Sequence, residues 1–136
     1  MLAPKKLKHR KWHKTAGTSG RKASRSNEIS FGIGGMKATT AGWVNSREIE
    51  AVRRVLVRFT RKGGRIWIRI FPDKPVTVKG AEVGMGKGKG TVDHYVAPVL
   101  PGTVLFEMGG LPIAKIKQAM QLASYKLRVK TKFIKK

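Results

Sequence analysis

The chain has 136 residues, with 30 Lys+Arg against 7 Asp+Glu, a formal net charge of +23 and 40% hydrophobic residues. That length suits one domain, the apolar content is too high for a disordered basic tail, and the charge calls for a polyanionic partner to relieve self-repulsion. With no cysteine, disulfides, thiolate zinc sites and cysteine nucleophiles are excluded; no apolar run approaches the roughly 20 residues of a membrane span, and the basic N-terminus lacks the apolar centre of a signal peptide.

Residues 1–26 carry nine Lys/Arg and no acid, including Lys5, Lys6, Lys8, Arg10, Lys11 and Lys14. Only Leu2, Leu7 and Trp12 are large and apolar, so this segment reads as an arm that orders on a partner. Residues 27–136 then form one domain. In residues 28–40, Ile29, Phe31 and Ile33 alternate weakly, which predicts a short hairpin around Gly34-Gly35.

The clearest helix is 46–62. Asn45 is a good N-cap and Glu48 stands at the capping-box position. Ile49, Val52, Val55, Leu56 and Phe59 share an apolar face, and Gly63-Gly64 ends the run. Arg47, Arg54, Arg58 and Arg61 share the opposite face without an acid among them, the footprint of a phosphate-contacting stripe. Arg65–Phe71 reads as a strand with Ile66, Ile68 and Ile70 inward. On its other side Trp67 and Phe71 suit packing, while Arg65 and Arg69 suit RNA contact.

Pro72–Gly90 has neither helical nor strand periodicity. It opens with Pro72-Asp73-Lys74-Pro75 and closes with Met85-Gly86-Lys87-Gly88-Lys89-Gly90. Alternate glycines let backbone N–H groups approach an anion, and each lysine adds a point charge, so a polyphosphate backbone is the natural target. Thr91–Val99 and Thr103–Met108 read as strands joined through Pro101-Gly102, with His94 a surface or structural histidine. Pro112 opens a second helix carrying Ile113, Ile116, Met120 and Ala123 to about Tyr125. In Lys126–Ile134, Lys126, Arg128, Lys130 and Lys132 alternate with Leu127, Val129, Thr131 and Phe133, predicting a strand with one buried and one basic face.

Enzymatic chemistry finds little support. The pattern GxxxxGK[ST] is absent from Gly84–Thr91, and a strand follows where a helix should. His9 and His13 lack a third ligand among surrounding cations, and no close Asp/Glu pair is placed for acid–base work. The rival readings are a general DNA-binding protein, a nucleic-acid enzyme and a membrane-surface protein. The long Gly-Lys loop, the lack of a convergent catalytic set and an apolar helix face better suited to a core disfavour them in turn.

The opening MLAPKKLKHRKWHK, the segment REIEAVRRVLVRFTRKGGRIWIRIFPDKP and the motif MGKGKG resemble the bacterial large-subunit ribosomal protein L-sixteen family, in register over essentially the whole chain. The resemblance implies a compact α+β domain of the hammerhead type, two helices on a two-layer mixed sheet, and no enzymatic activity or cofactor. It implies binding to 23S rRNA, contact with tRNA near the A site, neighbouring large-subunit proteins as partners, and no membrane or homo-oligomer. The setting would be a cytoplasmic ribosome, or one in a plastid or mitochondrion. By matching motif, the family's RNA-facing loop falls on Met85 to Gly90 and its basic arm on Lys5 to Lys14, including Trp12 and His13. Two departures stand out: Gly84 replaces the arginine common before MGKGKG, and Gly34 replaces a large residue in FGIGGMKA.

Overall fold

The structure, a computed structural model, describes residues 1–14 and 20–136. Its elements are β1 (Gly34–Ala38), β2 (Gly42–Asn45), α1 (Ser46–Thr60), β3 (Arg65–Ile68), β4 (Lys74–Val78), β5 (Thr91–Val99), β6 (Val104–Gly109), α2 (Ile113–Ser124) and β7 (Thr131–Lys135). The α+β class with two helices stands. The mixed sheet is corrected to two sheets, β3-β6-β1-β7 and β2-β5-β4, in which every pairing is antiparallel.

The helix α1 begins where the local chemistry dictates. The Asn45 side chain accepts from the Glu48 N–H at 2.8 Å, and the Glu48 carboxylate accepts from the Asn45 N–H at 3.1 Å, closing the expected capping box. Its buried Ile49, Val52 and Leu56 meet Ile116, Ala119, Met120 and Ala123 of α2. Met36, Phe106 and Met108 of the larger sheet and Val44, Ala97 and Val99 of the smaller one complete the same core.

Three short strands, β1, β2 and β4, escape the sequence pattern. Gly34-Gly35 is not a turn: β1 runs through it, between β6 and β7. A Cβ at Gly35 would meet the Phe106 carbonyl oxygen at 2.6 Å, and one at Gly34 would press on Ile116 and the Phe133 ring at 3.1 Å. Glycine here marks close approach between elements rather than reversal of the chain. The strand β4 lies inside the segment read as irregular; Pro75 is tolerated because β4 is an edge strand. Phe71, expected in the core, is 45% exposed, because β3 ends at Ile68 and the chain leaves the sheet before Pro72. At the C-terminus only Thr131–Lys135 is strand; Lys126–Lys130 is a turn-rich approach to it.

A strap of residues 27–32 crosses the face of the larger sheet that points away from the helices. It is held by Glu107, a fully buried carboxylate on β6. Glu107 accepts from the N–H groups of Ser30 at 3.1 Å, Phe31 at 2.7 Å and Gly32 at 2.8 Å, and from the Arg69 guanidinium. Burial pushes this carboxyl's pKa up; the bonds from Gly32, Phe31, Ser30 and Arg69 outweigh burial and hold it below the usual glutamate range. With a folded pKa below the unfolded value of about 4.3, the stabilisation is present above that value and is lost as pH falls through the folded pKa. Urea titrations across pH 2–7 should therefore show an acid-side loss of stability that Glu107→Gln flattens. Arg69→Met, which leaves the carboxylate short of its cation, should cost about 3 kcal/mol at neutral pH.

Candidate nucleic-acid interface

Arm and Gly-Lys loop, far apart in sequence, lie against each other. The Lys11 ammonium donates to the Lys89 carbonyl oxygen at 3.2 Å, and the Lys89 ammonium donates back to the Trp12 carbonyl oxygen. Trp12, His13 and Lys14 line a small hollow with Trp43, Lys74 and Lys89. At the arm's start, the Ser46 hydroxyl reaches the Met1 sulfur at 3.9 Å, so the arm extends from the head of α1 to the loop. Arm residues nearer the domain are also held: the Ala23 N–H donates to the Pro101 carbonyl at 2.9 Å, and the Val104 N–H to the Ser26 carbonyl at 2.7 Å.

The loop proper is residues 79–90, joining the paired strands β4 and β5. Lys79 ties it internally, donating to the Gly86 carbonyl at 2.6 Å. Gly86, Lys87 and Gly88 all take positive φ, at 110°, 55° and 91°, which turns the Gly-Lys run sharply and exposes its backbone. Lys5, Lys6, Lys8, Arg10, Lys11, Trp12, His13, Lys14, Lys87 and Lys89 are all exposed, and Met85 is fully so.

Arg47, Arg54 and Arg58 on α1 and Arg61 at its C-cap are exposed as expected. The stripe is not free of acid: Glu50 accepts from Arg53 at 2.9 and 2.7 Å and from Arg54 at 3.3 Å. The Arg53 hydrogen bonds, aided by Arg54, hold the Glu50 carboxyl down to about 2. Arg128 likewise donates to Glu48 at 2.9 Å, tying the segment before β7 to the capping box of α1. Lys126, Arg128, Lys130 and Lys132 are exposed, as is Arg65.

Two predicted contact residues turn inward. Arg69 is 15% exposed and engaged with Glu107, since a buried carboxylate needs a counter-charge. Lys74 is 5% exposed, with its ammonium 4.5 Å from the Trp43 ring centroid. Both are structural cations rather than exposed phosphate ligands. Lys79 was missed; its only signal is its place beside Gly80, at the mouth of the loop.

Gly90 and Gly84 separate geometry from habit. A Cβ at Gly90 would meet the Val78 carbonyl oxygen at 2.6 Å, whereas one at Gly84 has nothing within 4 Å and no positive φ. Thermal melts should place Gly84→Ala within about 0.5 kcal/mol of the wild type. Gly90→Ala should lose about 1 kcal/mol or more, because backbone must shift to admit it.

Residues 4–134 match the model of a family described as ribosomal protein L16p/L10e. Three relatives named large ribosomal subunit protein uL16c, from Thalassiosira pseudonana, Trieres chinensis and Porphyra purpurea, are each 52% identical over 134 residues. The alignments span 98% of this chain and 95–96% of the relatives.

Proposed function

Because the chain belongs to the ribosomal protein L16p/L10e family and is a structural constituent of the large ribosomal subunit rather than an enzyme, we propose that it binds 23S rRNA through its arm and Gly-Lys loop and contacts tRNA near the A site. The observation that carries this reading is the pair of bonds from the Lys11 ammonium to the Lys89 carbonyl and from the Lys89 ammonium to the Trp12 carbonyl, which brings two basic segments together beside exposed backbone. In this reading residues 1–26 act as the arm and residues 27–136 as the rRNA-binding domain.

The chemistry is positioning by charge. Phosphate contacts dominate, so log affinity falls linearly with log salt, with a slope set by the number of phosphates neutralised. Arg47 and Arg58 of α1 and Arg61 at its C-cap, which have no ion pair among the described residues, are the cations best placed to contribute; Arg54 shares its charge with Glu50. The exposed row of Lys126, Lys130 and Lys132 extends the surface toward neighbouring rRNA or proteins. The compartment is that of the ribosome, a bacterial cytoplasm or an organelle, and the uL16c relatives favour a plastid.

Binding of the full chain to 23S rRNA and to duplex DNA, titrated over a salt series, tests the reading. Tighter binding to the rRNA at equal salt is expected. The double variant Lys87→Ala plus Lys89→Ala should reduce the rRNA salt slope by about two, one per lost phosphate contact. Equal affinity for duplex DNA together with an unchanged slope would contradict it.

A further inference from the structure

The strap over the larger sheet carries an exposed ring on a rigid mount. The Phe31 backbone is clamped by its N–H bond to Glu107 and by the bonds of Ser30 and Gly32 on either side. Yet the residue is 60% exposed. Its ring stacks with Trp67, with centroids 6.2 Å apart and planes 18° from parallel, and the Arg69 guanidinium carbon lies 5.1 Å from its centroid. An exposed phenyl ring alone is unremarkable on a protein surface. Here it is pre-oriented, backed by an indole and flanked by one guanidinium, which is the composition of a platform for stacking nucleobases.

Across the same face lies a set of lysines with too little acid. Lys37 of β1 and Lys132 of β7 are direct cross-strand partners, a like-charge pair that destabilises the sheet unless an anion lies between them. Lys136, just past β7, donates its N–H to the Ile33 carbonyl at 3.0 Å, next to the strap. A shallow hollow of about 390 Å³ between strap and β7 is lined by Lys37, Ile134, Lys135 and Lys136, with Glu28 its only side-chain carboxylate. From β3, which carries Trp67, to β7 is three strand spacings, about 14 Å.

We propose that this face is an additional RNA-binding surface, on which Phe31 stacks an unpaired base while Lys37, Lys132 and Lys136 hold the flanking phosphates of a single-stranded segment. The proposal rests on the rRNA-binding reading above and adds to it a site separate from the arm and loop. The base must be unpaired, because a paired base has no open face to offer Phe31. A protein partner fits less well: lysine is depleted at protein interfaces, and this rim is mostly lysine.

The test uses the full chain and 23S rRNA. Phe31→Leu keeps an apolar side chain but removes the π-face. It should weaken binding about 5- to 100-fold with an unchanged salt slope and melting temperature, and Phe31→Tyr should restore binding. Lys37→Ala plus Lys132→Ala should lower the slope by about two. Tight wild-type binding that Phe31→Leu leaves intact overturns the site while sparing the arm and loop. Failure of the wild type to bind rRNA overturns the underlying reading, and the site with it. A photoreactive Phe31→p-benzoylphenylalanine variant incorporated into large subunits gives an answer independent of affinity. An adduct with rRNA supports the proposal, and an adduct with a neighbouring protein overturns it.

Discussion

One buried carboxylate organises much of this molecule. Glu107 sits in a strand whose every residue is buried, where an isolated charge would be untenable. It persists because three consecutive strap N–H groups and the Arg69 guanidinium surround it. The same bonds satisfy backbone groups that crossing the sheet would otherwise leave without partners. Glu107 therefore does two jobs: it closes the outer side of the larger sheet, and it fixes the course of the strap that covers it. In a chain with only 7 acids against 30 Lys+Arg, one acid placed wholly inside and neutralised there leaves the surface almost entirely cationic.

Two other acids follow a related logic. Glu48 completes the α1 cap and holds Arg128, while Glu50 gathers Arg53 and Arg54. Each attaches a cation to the scaffold without cancelling the wider field. Self-repulsion remains, and the Lys37–Lys132 pair is its most local expression. A charge balance of this kind calls for a polyanionic partner to relieve it, in agreement with membership of a ribosomal family.

How much of this could be read from the sequence depended on how local the cause was. The α1 helix, its cap and its apolar face were legible because Asn45, Glu48 and the spacing from Ile49 act within a few residues. The strands β5 and β6 were legible from alternation and the Pro101-Gly102 turn. Short strands with glycine or proline inside, β1 and β4, were not, because close packing and an edge position override local preference. In LFEMGG nothing local marks Glu107 as buried; its partners are distant in sequence, the strap N–H groups more than 70 residues earlier and Arg69 38 residues earlier. The inward placement of Lys74 and Arg69 was illegible for the same reason: nothing nearby in sequence announces Trp43 or Glu107 as their neighbours. The Gly-Lys loop was recognisable from composition, but its union with the arm through Lys11 and Lys89 is a tertiary fact.

Native-state hydrogen exchange on the isolated protein tests most directly whether the buried carboxylate organises the strap. If it does, the amides of Phe31 and Gly32 exchange only with global unfolding, together with those of Val104–Gly109 in β6. If they instead exchange in step with the amides of the exposed loop residues 81–89, the strap is not anchored by Glu107 and the account of the outer face fails.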